Sequence, residues 1–174
     1  RLATNNAGNA ITVTVHLGGK PLHLRAWALT VGRVKLYLLD ADFDANDEDG
    51  RAVTRRLYQG GTERRIQQEI VLGVGGVRLL RALNVTTDVY HMNEGHCAFL
   101  ALELLRECMS DGRSRQEAEQ DVRSRCVFTT HTPVKEGHDR FAPSLFNDAM
   151  QHFREWLGLT EIELLAYGRV HPED

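Results

Sequence analysis

The sequence predicts an α/β fold, and three observations carry that reading. Two short runs rich in β-branched and aromatic residues, 88–91 and 126–130, each end in a cluster of His, Asn, Glu or Thr. Helix-periodic segments surround them, in the order strands, then helix–strand–helix–helix–strand–helix–helix. The chain also opens on two alternating segments joined by turn residues, a β-hairpin region at the start. In an open α/β sheet, ligands bind just beyond the carboxyl ends of the strands. If the two runs are parallel neighbours, residues 88–96 and 126–141 form the functional face, and they hold four of the eight histidines: His91, His96, His131 and His138.

Taken in order, residues 1–9 read as loop. Residues 11–17 alternate apolar and polar, the period of a half-buried strand. Gly18-Gly19-Lys20-Pro21 is turn chemistry, and Leu22, Leu24, Ala26 and Ala28 alternate again. Residues 34–40 are a third strand, more continuously apolar and so expected to be more buried. The acidic stretch 40–50 puts Asp40, Asp42 and Asp44 at positions 1, 3 and 5 of a calcium loop. It then has Ala45 where glycine is needed and Arg51 where glutamate is needed, so a solvated acidic loop is expected. Thr62 opens a helix whose apolar residues Ile66, Ile70, Val74, Val77 and Leu80 form one stripe. Gly73, Gly75 and Gly76 lie inside it. A dinucleotide fingerprint would need a preceding strand and a glycine at 78, where Arg78 stands; the glycines instead suggest close approach by another backbone or a ligand.

Residues 85–91 are the first key strand. Phe99, Leu100, Leu102, Leu104 and Leu105 then make a buried helix ended near Gly112. Ser114 with Glu117 is a capping box opening a helix to about Arg125. Residues 126–130 are the second key strand, and 131–143 a long loop. Leu145, Phe146, Ala149, Met150, Phe153, Trp156 and Leu157 step as one amphipathic helix closed by Gly158. Thr160 with Glu163 is another capping box, leading into a last helix with Leu164, Leu165 and Tyr167.

Composition bounds the class. Of 174 residues, 42% are hydrophobic and 26% charged, ordinary for a globular protein. The net charge of −3 supplies no basic field for nucleic acid. Cys97, Cys108 and Cys126 are odd in number and widely spaced, as expected of reduced thiols in a cytoplasmic protein. No apolar run approaches a membrane span of about 20 residues. The chain begins at Arg1 without a methionine and stops after residues 171–174 in an unstructured pattern. It is therefore read as a fragment, residues 1–174 being part of one domain.

Asn93 and Glu94 stand where a strand end meets a helix start, which exposes backbone N–H groups and a positive dipole end. Asn93 offers donor and acceptor, and Glu94 accepts from hydroxyls or orients a histidine. Such a set suits a polyhydroxyl ligand; equally, it could simply cap the helix. His91, Glu94 and His96 are close enough to suggest a metal, but their order matches neither zinc motif, so none is expected. Cys97 and Cys126 sit in apolar runs and read as structural thiols. His131, between Thr130 and Thr132 at a strand end, can serve a ligand while a carboxylate such as Glu94 fixes its tautomer.

Three further stretches bear on identity: residues 36–40, 56–61 and 65–76. Together with His91-Met92-Asn93-Glu94-Gly95-His96 and its continuation to Ala101, and with Thr129-Thr130-His131-Thr132-Pro133-Val134 and residues 137–141, they resemble the α-glucan phosphorylases, most closely the shorter bacterial branch. The resemblance runs from about residue 11 to the end. It implies the N-terminal Rossmann-like half of a two-domain (GT-B type) glycosyltransferase fold. It implies transfer of a terminal glucosyl unit from an α-1,4-glucan to inorganic phosphate, giving glucose 1-phosphate with retention. Pyridoxal phosphate, used through its phosphate group, would be bound by the missing C-terminal half, since Lys20, Lys35 and Lys135 match no cofactor motif. His131 would contact the glucosyl hydroxymethyl group, with Glu94 supporting it. Asn93, His96 and Thr132 would line the same cleft, and residues 58–61 would lie near a gating loop. A homodimer is implied by the resemblance. Two other functions compete: a glycogen-synthase-like sugar-nucleotide glycosyltransferase and a non-catalytic glucan-binding module. The module is disfavoured because aromatics are only 7% and Phe146, Phe153 and Trp156 fit a core stripe. One wall of a two-walled cleft cannot exclude water, so the fragment alone is expected to be inactive and poorly stable.

Overall fold

Alternation in the first forty residues produces a three-stranded antiparallel sheet in the order β1-β2-β3, from β1 (Thr12–Leu17), β2 (Lys20–Val31) and β3 (Val34–Asp40). The computed structural model describes residues 1–57, 59–134, 138–169 and 171. Tyr58 of the 58–61 segment, and residues 135–137 of the second motif, lie outside them. Val13, Val15, Leu22, Leu24 and Ala26 point inward and are buried, as the two-residue period requires.

The expectation for β3 is corrected. Val34, Leu36 and Leu38 are 60%, 45% and 47% exposed, and only Tyr37 and Leu39 lean on the core. The reason is position: β3 is the edge strand, and the helices that touch this sheet cover one face. Trp27, Leu29 and Val31 of β2 share the open face.

The acidic stretch is not simply solvated. Asp42 accepts from Arg51 and Arg55, and Asp40 from Arg25 and the Trp27 indole. Asp47 caps a short helix, α1 (Glu48–Ala52), that the sequence reading passed over. Its signature was present: an Asp cap followed by Glu48 and Asp49 in the first turn.

The predicted stripe forms one continuous helical path, α2 (Gly61–Ile70), a π turn over Val71–Gly75, and α3 (Gly76–Ala82). Ile66, Ile70, Val74 and Val77 are all buried. The π turn coincides with the glycines. A Cβ built on Gly73 would stand 2.7 Å from the Leu100 amide nitrogen and 3.0 Å from the Phe99 carbonyl carbon, so the close approach read from the sequence is that of the next helix's backbone.

Strand β4 runs Tyr90–Asn93, later than the predicted 85–91. Its ladder can begin only where its partner begins, and α5 (Arg115–Arg125) occupies the chain up to β5 (Cys126–Thr129). The pair is parallel, with Tyr90 opposite Cys126 and Asn93 opposite Thr129. A 3₁₀ turn, Gly95–Cys97, leads into α4 (Leu100–Ser110). The two sheets and their helices make the molecule α/β.

The single helix expected over 145–157 is broken at Met150 (φ −101°, ψ 11°) into α6 (Pro143–Ala149) and α7 (Gln151–Leu157). Phe153 is buried, but Trp156 is 43% exposed with the Arg106 guanidinium over its ring, so the stripe is less complete than expected. The capping boxes at Ser114 and Thr160, the latter opening α8 (Glu161–Ala166), and the left-handed Gly158 are as predicted.

Glu103 of α4 is fully buried and held by Arg78 of α3 (2.8 and 2.9 Å) and Arg106 (2.7 Å). Arg78 also donates to the Thr14 carbonyl at 2.5 Å, joining both helices to β1.

Gly73→Ala forces the α2–α3 path and the start of α4 apart. It should destabilise the protein by about 1–3 kcal/mol, the usual cost of overpacking. Denaturant unfolding of the two forms measures this; an unchanged midpoint would show that the contact at Gly73 yields freely.

Candidate functional site

The two parallel strands end level, so their polar termini meet. Glu94 extends the ladder by donating its N–H to the Thr129 carbonyl at 2.8 Å. It then turns at φ 63°, ψ −179°, a backbone conformation that costs a residue with a side chain about 1–3 kcal/mol. Its carboxylate is buried at 7% exposure. It accepts from Thr130 Oγ1 at 3.0 Å, from the His131 N–H, and from the N–H and Oγ1 of Thr132 at 3.0 and 3.2 Å. The His131 amide above all, then the Thr130 and Thr132 groups, hold this carboxyl below the usual range against the opposing effect of desolvation.

The sequence reading had Glu94 orienting the His131 imidazole. In the structure Glu94 holds the His131 main chain, and Asn93 holds the ring: His131 Nε2 lies 2.9 Å from Asn93 Oδ1. With the amide oxygen as acceptor, Nε2 of neutral His131 carries the proton and Nδ1 is an acceptor. Asn93 and His131 are both exposed. The hydroxyl of Thr132, expected to line the cleft, donates to Glu94 at 3.2 Å. His91 Nε2 lies 2.6 Å from Thr129 Oγ1.

His96 sits two residues beyond Glu94 in a second polar cluster. Arg65 Nη2 donates to His96 Nδ1 at 2.5 Å. The same guanidinium donates to Asp139 Oδ2 from Nε and Nη2, at 3.0 and 2.9 Å. Its Nε also lies 3.1 Å from Glu69 Oε1 as an ion pair. Burial first, then the neighbouring Asp139 carboxylate, push the Glu69 carboxyl up to about 8. Burial also works against Asp139, but hydrogen bonds from Arg65 and Glu69 hold its carboxyl below the usual range. The two carboxyls are thus driven in opposite directions, Glu69 upward and Asp139 downward. Donor atoms of Glu69, His96 and Asp139 come within 4.8 Å of one another, a spacing a cation could bridge; the Arg65 guanidinium supplies the positive charge there.

Asn93, Glu94, His131 and Thr132 thus form one connected group and His96 an adjoining one. Burial pushes the Cys97 and Cys126 thiols up, which leaves them poor nucleophiles. Sequence reasoning gave no site role to Arg65 or Glu69, and to Asp139 only that of shaping the loop after His131. The signal was Glu69 itself, an acid between Ile66 and Ile70 in the apolar stripe, with Arg65 one helical turn earlier.

No protein-family model matches the chain. Among curated proteins it is 41% identical to maltodextrin phosphorylase of Thermococcus litoralis, over 95% of this chain and 20% of that protein. It is 49% identical to glycogen phosphorylase of Mycobacterium tuberculosis, over 81% of this chain and 17% of that protein. It is 29% identical to glycogen phosphorylase of Aquifex aeolicus, over 96% and 24%. The chain spans about a fifth of the length of the curated relatives it matches. Over the segment it spans, the chain is kin to the glycogen and maltodextrin phosphorylases.

Glu69 gives a pH signature. Its carboxyl is raised in the folded state, so the fold binds this proton more tightly than the unfolded chain does. Its contribution is full below about 4.5 and is lost as pH rises toward about 8. Glu69→Gln removes this titration. Unfolding midpoints from pH 5 to 9 should fall more steeply for the native protein than for the variant; parallel curves would overturn the assignment.

Proposed function

We propose that this chain supplies one wall of the glucan-binding cleft of an α-1,4-glucan phosphorylase. The whole protein would transfer a terminal glucosyl unit to inorganic phosphate, giving glucose 1-phosphate with retention. The observation that carries this is the rigid display of Asn93 and His131 on two parallel strand ends, which Glu94 locks together. An amide and an imidazole held by each other present a fixed pattern of donors and acceptors. Such groups can read sugar hydroxyls at little entropic cost. His131 Nδ1 accepts from a glucosyl hydroxyl, and the Asn93 amide group donates to another. Glu94 acts indirectly, by holding the main chain that carries His131.

The parallel β4–β5 pair, with ligand groups at its carboxyl end, supports placement in the Rossmann-like N-terminal half of a GT-B fold. Pyridoxal phosphate is the cofactor this reading implies, supplying acid–base chemistry through its phosphate group. The described lysines do not fit its pocket. Lys20 is ion-paired with Asp47, and Lys35 lies on the exposed end of β3. Assembly into a homodimer belongs to the same reading. Sequence kinship with phosphorylases supports this activity over transfer from a sugar nucleotide.

The test uses the protein from the complete reading frame, with maltoheptaose and inorganic phosphate, following glucose 1-phosphate. Phosphate-dependent release, reduced about 100-fold or more by His131→Ala, is expected from loss of a positioned contact. Transfer from a nucleotide sugar, with no phosphorolysis, would overturn the reading. Unchanged release in the variant would discard the site. Residues 1–174 alone should release none.

A further inference from the structure

We propose that Arg65 is a positioning residue for glucan binding: clamped by Asp139 and Glu69, it fixes the His96 ring so that Nε2–H is presented to a sugar hydroxyl. This rests on the phosphorylase reading above and adds an element to its site.

The argument begins with valence. A guanidinium only donates, so the His96 nitrogen that faces it at 2.5 Å must accept. That nitrogen is Nδ1, and in the neutral ring the proton then sits on Nε2. Among the described residues, Nε2 has no protein partner, and the side chain is 36% exposed. The imidazole is therefore a donor of fixed orientation, open to solvent, two residues from the Glu94 lock.

What fixes the donor is in turn fixed. Arg65 is only 12% exposed, and both its Nε and Nη2 bond Asp139 Oδ2. Asp139 belongs to the same loop that begins at His131, so one guanidinium ties α2, the 3₁₀ turn and that loop together. Glu69, buried one helical turn along α2, closes the other side. Burial and the neighbouring Asp139 raise its carboxyl, while Asp139 pairs directly with Arg65. The cluster thus complements the neighbouring pair, where His131 Nε2–H is directed at Asn93 and Nδ1 accepts. One histidine is left to accept from the ligand and the other to donate, which suits the alternating hydroxyl chemistry of a glucosyl unit.

The experiment is a double-mutant cycle in the full-length protein, measuring phosphorolysis of maltoheptaose for Arg65→Met, His96→Ala and the pair. Arg65→Met should lower kcat/KM by about 10- to 100-fold. If Arg65 acts through His96, the double variant loses no more than His96→Ala alone. Losses that multiply would overturn the inference and leave the phosphorylase reading standing. Arg65→Lys, which keeps the charge and a donor, should recover part of the loss and serves if the methionine variant does not fold. The second readout needs no activity. In histidine labelled with nitrogen-15, the signal absent from His96→Ala should show a protonated Nε2 and a bare Nδ1 in the native protein, and a mixture in Arg65→Met. A native His96 protonated at Nδ1 would overturn the inference even if the protein performs no phosphorolysis.

Discussion

The buried carboxylate of Glu94 is the interaction on which the functional face depends. Two parallel strands of four residues each make a weak sheet, because so short a ladder contributes few hydrogen bonds and little apolar burial. Glu94 compensates by accepting four hydrogen bonds from the three residues that follow β5. Charge-assisted bonds of this kind are roughly twice as strong as neutral ones. They also hold Glu94 in a backbone conformation that a residue with a side chain rarely adopts. A strained residue persists only where its surroundings over-determine it, and such residues concentrate where ligands bind. The strain and the latch are two aspects of one arrangement, which sets Asn93 and His131 at a fixed separation.

A second buried carboxylate does comparable work in the body of the fold. Glu103 joins α3 and α4 through Arg78 and Arg106, and Arg78 carries the connection to the main chain of β1. Nearby, Gly73 lets α4 begin almost in contact with the helix before it. The starting hairpin, the long helical path and α4 are thereby held as one frame. That frame fixes where the 3₁₀ turn bearing His96 emerges, and α2 contributes Arg65 and Glu69 to the cluster around it.

Much of this was legible in the sequence because the signals were local. The alternation of β1 and β2, the stripe of Ile66, Ile70, Val74 and Val77, and the boxes at Ser114 and Thr160 each encode an element within a few residues. The two polar junctions were legible for the same reason, and their side-by-side placement followed from the parallel-sheet rule. Other features were set by partners distant in the chain. The extent of β4 was fixed by where β5 begins, and the exposure of β3 by its place at the sheet edge. Whether Glu94 meets the imidazole or the amide of His131 depends on how the two strand ends meet, which no local pattern encodes. Arg65 and Asp139 are 74 residues apart, and no periodicity could pair them.

The outer face of β2 and β3 has a consequence for handling the molecule. Trp27, Leu29, Val31, Val34, Leu36 and Leu38 line up on one side of a ribbon whose edge strand is open. An uncovered apolar edge is a template for pairing with other chains, and native proteins blunt such edges with charge. Here the charges stand at the ends, Arg33 and Lys35 at the hairpin tip and the Arg25–Asp40 pair against Trp27, with the apolar row between them. In concentrated solution this ribbon would behave as an adhesive strip, stacking chain on chain. Its solubility would be governed by what lies over that strip more than by the −3 net charge.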